Sequence, residues 1–152
     1  MKSFSEFKES IIDIPRRTYA PGVFDDEDTN DPKIKDSVLR MISRQFKEFE
    51  TEYPILKYSL IGSILTKRYR NDADLDINVL FDVADEDKEV MSEKLRDMVR
   101  EVNGKNVPGS VHPVNYFVIV DRSIYDKANK MADDVFDIVH DRFEKRTQSK
   151  PF

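Results

Sequence analysis

The sequence contains no cysteine. That absence excludes disulfides and thiolate metal sites, and it fits a reducing, cytoplasmic home. No apolar run approaches the length of a membrane span, and the first ten residues, MKSFSEFKES, lack the apolar centre of a signal peptide. No membrane partner is expected. There is no internal repeat and no low-complexity segment. Nor is there an excess of positive charge: 25 Lys and Arg stand against 30 Asp and Glu, a net charge of −5. A sequence-independent grip on long nucleic acid needs a basic face, so this balance disfavours one. A local basic patch around a phosphate remains compatible with it.

What is present amounts to one domain. A chain of 152 residues can bury roughly two-thirds of its unfolded surface, enough for a core without staples. Residues 1–30 read as an N-terminal helix (Ser3–Ile12) and a long loop rich in proline and acid. Residues 31–152 read as the main domain, complete or cut from a longer chain. Asp31 followed by Pro32 is a helix start, and Ile34, Val38, Met41, Ile42, Phe46, Phe49 and Tyr53 recur at helical spacing up to Pro54. The aromatic stripe Phe46, Phe49, Tyr53 belongs to the core.

Strands are expected at Lys57–Ile61, Leu75–Phe81 and Val114–Val120. Helices are expected at Asp85–Asn103 and Ser123–Ala132. DVFDIVHDRFEKR (residues 134–146) suits either a helix or a hairpin turning near His140-Asp141. The result is an α+β domain with a mixed or antiparallel sheet and helices packed on one face. The acidic cluster DDEDTND reads as a solvated turn, and His140 as a surface or structural residue.

The stretch Tyr58–Asp82, YSLIGSILTKRYRNDADLDINVLFD, carries the chemistry. Strand side chains alternate, so Leu75, Ile77, Val79 and Phe81 form one apolar face. Asp74, Asp76, Asn78 and Leu80 point the other way. Asp74 and Asp76 then lie roughly 6–7 Å apart on one side. Two carboxylates that close repel each other, and a divalent cation relieves the repulsion. Oxygen-only ligands favour Mg²⁺ or Mn²⁺. The bland alternative is the solvent face of an edge strand. Gly62 lets the backbone approach a ligand. Ser63 can cap a short helix running to Tyr69, whose first N–H groups would favour a phosphate.

Gly62-Ser63, ten intervening residues, then Asp74-x-Asp76 between apolar flanks resembles the signature of the DNA-polymerase-β-like nucleotidyltransferase superfamily. The match covers about 25 residues directly, and the order of elements extends it over Asp31–Val120. The stretch HPVNYFVIV also looks like one found in predicted nucleotidyltransferases of phage genomes. The resemblance implies the nucleotidyltransferase fold and metal-dependent transfer of a nucleoside monophosphate from a nucleoside triphosphate such as ATP, with no motif that reads the base. It implies that Asp74 and Asp76 hold two Mg²⁺ ions, and that Gly62 and Ser63 hold the β and γ phosphates. Lys67, Arg68 or Arg70 would neutralise the pyrophosphate, although that run is equally a solvated turn.

The acceptor is left open between a nucleic acid end, a protein and a small molecule. Little chain remains for a separate acceptor-binding domain, so a partner or a homo-oligomer is implied. One departure stands out. Family members usually carry a third carboxylate on a later strand, and here that position aligns with Asn115. Three readings follow: another base such as His112, or Asp121 at the far end of the strand, or a nucleotide-binding module with little transfer activity. Arg16, Arg17 and Tyr19 are further candidates to reach a nucleotide by charge and stacking.

Overall fold

The computed structural model describes residues 18–147. The expected helix over Ser3–Ile12, and Arg16 and Arg17, lie outside them. The described chain opens with a two-residue ladder, β1 (Phe24–Asp25) antiparallel to β2 (Lys33–Ile34). Helix α1 (Asp36–Phe49) and strand β3 (Ile55–Ile61) follow. A three-residue 3-10 turn (Ser63–Leu65) and a loop lead to β4 (Leu75–Phe81). Helix α2 (Lys88–Arg100), strand β5 (Val114–Ile119), helix α3 (Arg122–Met131), and strands β6 (Asp134–Asp137) and β7 (Arg142–Arg146) complete it.

The main sheet is mixed, five-stranded, in the order β5-β4-β3-β6-β7. β4 and β5 run parallel, with α2 in the crossover between them, and the other neighbours are antiparallel. The architecture is α+β.

Helix α1 packs its apolar stripe onto one face of the sheet. Phe46 meets Tyr58 and Tyr116, and Phe49 meets Phe81 and Tyr116, with ring centroids 4.7–6.5 Å apart. The Tyr116 hydroxyl donates to Gln45 inside this cluster, which satisfies the polar tip of a buried ring.

The other face also carries a helix, which corrects the expectation that helices pack on one face only. α3 lies across it: Asn129 Nδ2 donates to Ser59 Oγ (3.1 Å), Ser59 also bonds the Tyr125 hydroxyl, and Asn78 Nδ2 donates to Asn129 Oδ1 (3.5 Å). Asn78 and Leu80 are therefore buried as deeply as the residues beneath α1. Of the β4 residues on this face, Asp76 stays half open.

Asp31-Pro32 does not start the helix. Ile34 belongs to β2, where its N–H donates to Asp141 Oδ1 (2.9 Å). That long-range bond holds the chain extended, and α1 begins only at Asp36. The helix ends at Phe49, and Tyr53 packs beyond it, partly buried. The expected helix over Asp85–Asn103 is a 3-10 turn (Asp85–Asp87) followed by α2, and the chain winds through turns after Arg100. The ambiguous segment is the hairpin β6–β7. Its turn ends at Asp141, whose φ of 55° is left-handed, and His140 sits exposed there on the Asp137 carboxylate.

Candidate functional site

Sheet register brings the candidate residues together. Ile61, the last residue of β3, pairs with Asp76, and Asp76 pairs with Asn115. Three strand ends thus meet in one row, and strand alternation turns the Asp76 and Asn115 side chains to the same face. Asn115 Nδ2 donates to Asp76 Oδ1 at 3.4 Å, a long and weak bond. Gly62 follows directly with φ 94° and ψ −176°, a conformation open essentially to glycine alone. A Cβ there would stand 3.0 Å from Asp76 Oδ2. The backbone of the Gly-Ser turn and the Asp76 carboxylate are therefore neighbours across a gap that a Cβ enters only if the carboxylate gives way.

Asp74 is exposed and Asp76 half-buried. Burial raises the Asp76 pKa, the Asp74 charge raises it further, and the Asn115 bond opposes both. That is the signature of two carboxylates held close enough to repel. Among the described residues, no group of three or more His, Cys, Asp or Glu is arranged to hold a metal ion. Two carboxylates nonetheless suit Mg²⁺, which keeps several waters and takes its remaining ligands from substrate phosphates.

Ser63 is exposed at the start of a turn of only three residues. The helix expected to run to Tyr69 does not form, and Ser63 is not its cap. The turn closes with Leu65 N–H on the Gly62 carbonyl (3.1 Å) and Thr66 N–H on that of Ser63 (3.0 Å). A groove of about 460 Å³ lies beside it, lined by Ile61, Gly62, Ser63, Thr66, Asp133 and Asp134. Asp133 and Asp134 were not singled out from sequence, since only the β3–β6 pairing brings them here. Asp134 is buried, which raises its pKa, although the Thr147 N–H bonds its carboxylate at 3.1 Å.

The basic run leaves the turn toward β4. Lys67 Nζ lies 5.4 Å from the centroid of the Tyr19 ring, a cation–π contact. Tyr19 itself is 2% exposed, with Phe24 and Phe143 against its ring. It is a core residue and offers no face for a nucleotide to stack on. Arg68 and Arg70 are exposed in the same loop.

His112 is 5% exposed. Its Nδ1 lies 2.9 Å from the Ala73 carbonyl, which can only accept, so Nδ1 carries the proton. Its ring packs edge-on against Tyr69. The next residue, Pro113, accepts the Leu75 N–H at 2.8 Å. His112 and Pro113 thus clamp the chain on both sides of Asp74. Asp121 sits six residues beyond Asn115, past the other end of β5, roughly 20 Å away by strand rise. There it pairs with Lys88 at 2.7 Å.

A wider groove of about 660 Å³ lies away from the acid pair. Lys57, Ser59, Tyr125, Asn129, Asp137 and Arg142 line it, between α3 and β3, β6 and β7. Comparison of the chain with protein-family models, with curated proteins and with solved structures returns no match.

Proposed function

We propose that this chain is a nucleotidyltransferase of the DNA-polymerase-β-like superfamily, transferring a nucleoside monophosphate from a nucleoside triphosphate to an acceptor. The observation that supports this most is the approach of Gly62 to Asp76. It sets a bare backbone turn against Asp76, whose carboxylate is also repelled by that of Asp74 just before the strand.

Asp74 and Asp76 would hold Mg²⁺ or Mn²⁺, which when bound offsets charge on the triphosphate and on the leaving pyrophosphate. Gly62 and Ser63 admit phosphate oxygens close to the backbone, because no side chain intrudes at Gly62. Asp133 and Asp134 add negative charge to the same groove, so a triphosphate enters it only together with its counter-ions. Lys67, Arg68 and Arg70 supply positive charge from the loop that joins the two halves of the site. His112 acts as a positioning residue: through Ala73 it holds the backbone that presents Asp74.

A second reading, a nucleotide-binding or interaction module with little transfer, draws on the Asn115–Asp76 bond, which places an amide where the resemblance expects a third carboxylate. Thermal denaturation tests the proposal. A ligand at a hundred times its dissociation constant adds about 2.7 kcal/mol to stability. Mg²⁺ and triphosphate together should raise the melting midpoint, and the rise should vanish in Asp74→Ala and Asp76→Ala. A transfer activity that survives both substitutions overturns the mechanism.

A further inference from the structure

We infer that the acceptor attacks through an oxygen already ionised at neutral pH, a phosphate or a carboxylate, and that Asn115 is the residue that admits it. This rests on the nucleotidyl-transfer reading above. A hydroxyl acceptor must lose a proton, and an amide cannot take one. Asn115 is the residue in register with Asp76 on the adjoining strand. His112 is almost fully buried with Nδ1 committed to a carbonyl. Asp121 is paired with Lys88 beyond the far end of β5. Asp133 and Asp134 lead into β6, two strands away from Asp76, and Asp134 already accepts the Thr147 N–H. Among the described residues, none of these five is a base beside the acid pair.

What Asn115 does offer is a donor. Its NH₂ faces the Asp76 carboxylate at 3.4 Å, too long to be a strong bond, so it can be re-aimed at little cost. A half-buried NH₂ suits an anionic oxygen, whereas a carboxylate at the same place would repel one. The amide thus removes a negative charge and adds a hydrogen-bond donor, and both changes favour an anionic acceptor.

The step needs no base. The acceptor oxygen forms a bond to the α-phosphorus as the bond from that phosphorus to the bridging oxygen breaks. The electron pair leaves with pyrophosphate. With inorganic phosphate the products are a nucleoside diphosphate and pyrophosphate, and with a carboxylate they are an acyl nucleotide and pyrophosphate. No proton leaves the acceptor in either case.

The test offers the wild-type protein Mg²⁺ and each triphosphate with inorganic phosphate, acetate or glycerol. Product on phosphate or acetate, at least tenfold faster than on glycerol or water, is the expected result, and the product names which anion is used. Asn115→Asp should lower that rate at least tenfold and begin transfer to glycerol. A calorimetric readout runs beside it: inorganic phosphate should bind protein loaded with Mg²⁺ and a non-hydrolysable triphosphate analogue at least tenfold more weakly in Asn115→Asp. Transfer to glycerol or water as fast as to the anions overturns the inference, even if Asn115→Asp fails to fold. So does intact Mg²⁺-triphosphate binding with no transfer to either anion. Absence of Mg²⁺-triphosphate binding overturns the underlying reading, and the inference falls with it.

Discussion

A Cβ on Gly62 would stand 3.0 Å from Oδ2 of Asp76, on a backbone whose φ is 94°. Two penalties therefore meet in Gly62→Ala. The backbone strain costs about 1–3 kcal/mol, and the methyl group displaces the carboxylate. Gly62→Ala should lower stability by that amount in denaturant titration and weaken Mg²⁺-triphosphate binding at least tenfold. Gly104→Ala is the control. Its φ is 91°, but its Cβ would meet nothing within 4 Å. It should be destabilised with binding unchanged. Equal loss of binding in both variants would detach Gly62 from the site.

The charge on Asp76 should cost the fold stability. Its pKa is raised by burial and then by Asp74, so the folded state binds its proton more tightly than the unfolded chain does. The penalty is absent below the ordinary carboxylate pKa, about 3.9. It grows as pH rises through that value and is complete above the raised one. Asp76→Asn should therefore melt higher than wild type at pH 7, with the difference shrinking on acidification. A variant less stable at pH 7 contradicts the repulsion.

Asn103 guards the sheet edge. Its side chain accepts the Tyr116 N–H at 2.8 Å and donates to the Tyr116 carbonyl at 3.2 Å. Gly104 and Lys105 cover Val114 in the same way. β5 is an edge strand with Phe117 42% exposed, the kind of edge that invites pairing with another chain. Asn103→Ala should cost about 1–3 kcal/mol and raise self-association in light scattering. A monomeric variant of unchanged stability would show that the edge needs no cover.

His112→Phe should weaken Mg²⁺-triphosphate binding through Asp74, because the bond to the Ala73 carbonyl is lost. As a positioning residue it should leave the pH profile of any transfer unmoved. A profile that changes shape in His112→Phe would make it a base instead.

Local patterning made much of this legible. The apolar alternation from Leu75 to Phe81 sets the bounds of β4 as observed, and the spacing Val38, Met41, Ile42, Phe46, Phe49 marks the buried stripe of α1. The sequence marks Asn115 as the amide at the expected third-carboxylate position, and only the fold shows that it lies in register with Asp76. What escaped depends on distant partners. Ile34 is drawn into β2 by Asp141, more than a hundred residues away. Val135, Ile138, Val139 and Phe143 suit helical spacing, yet Val135 and Phe143 lie in β6 and β7 with Ile138 and Val139 in the turn between them, a choice that pairing with β3 decides. The same pairing carries Asp133 and Asp134 to the Gly-Ser groove. α3 covers Asn78 through Ser59 and Asn129, a polar contact that leaves no apolar period to read.

The most direct measurement is calorimetric titration of each of the four triphosphates into the protein, with and without Mg²⁺, alongside the Asp74→Ala/Asp76→Ala double variant. The predicted result is binding that requires the metal and disappears in the double variant while its melting curve stays cooperative. Absence of binding to the wild-type protein, or binding indifferent to the two aspartates, contradicts a nucleotide site at the meeting of Gly62, Asp76 and Asn115.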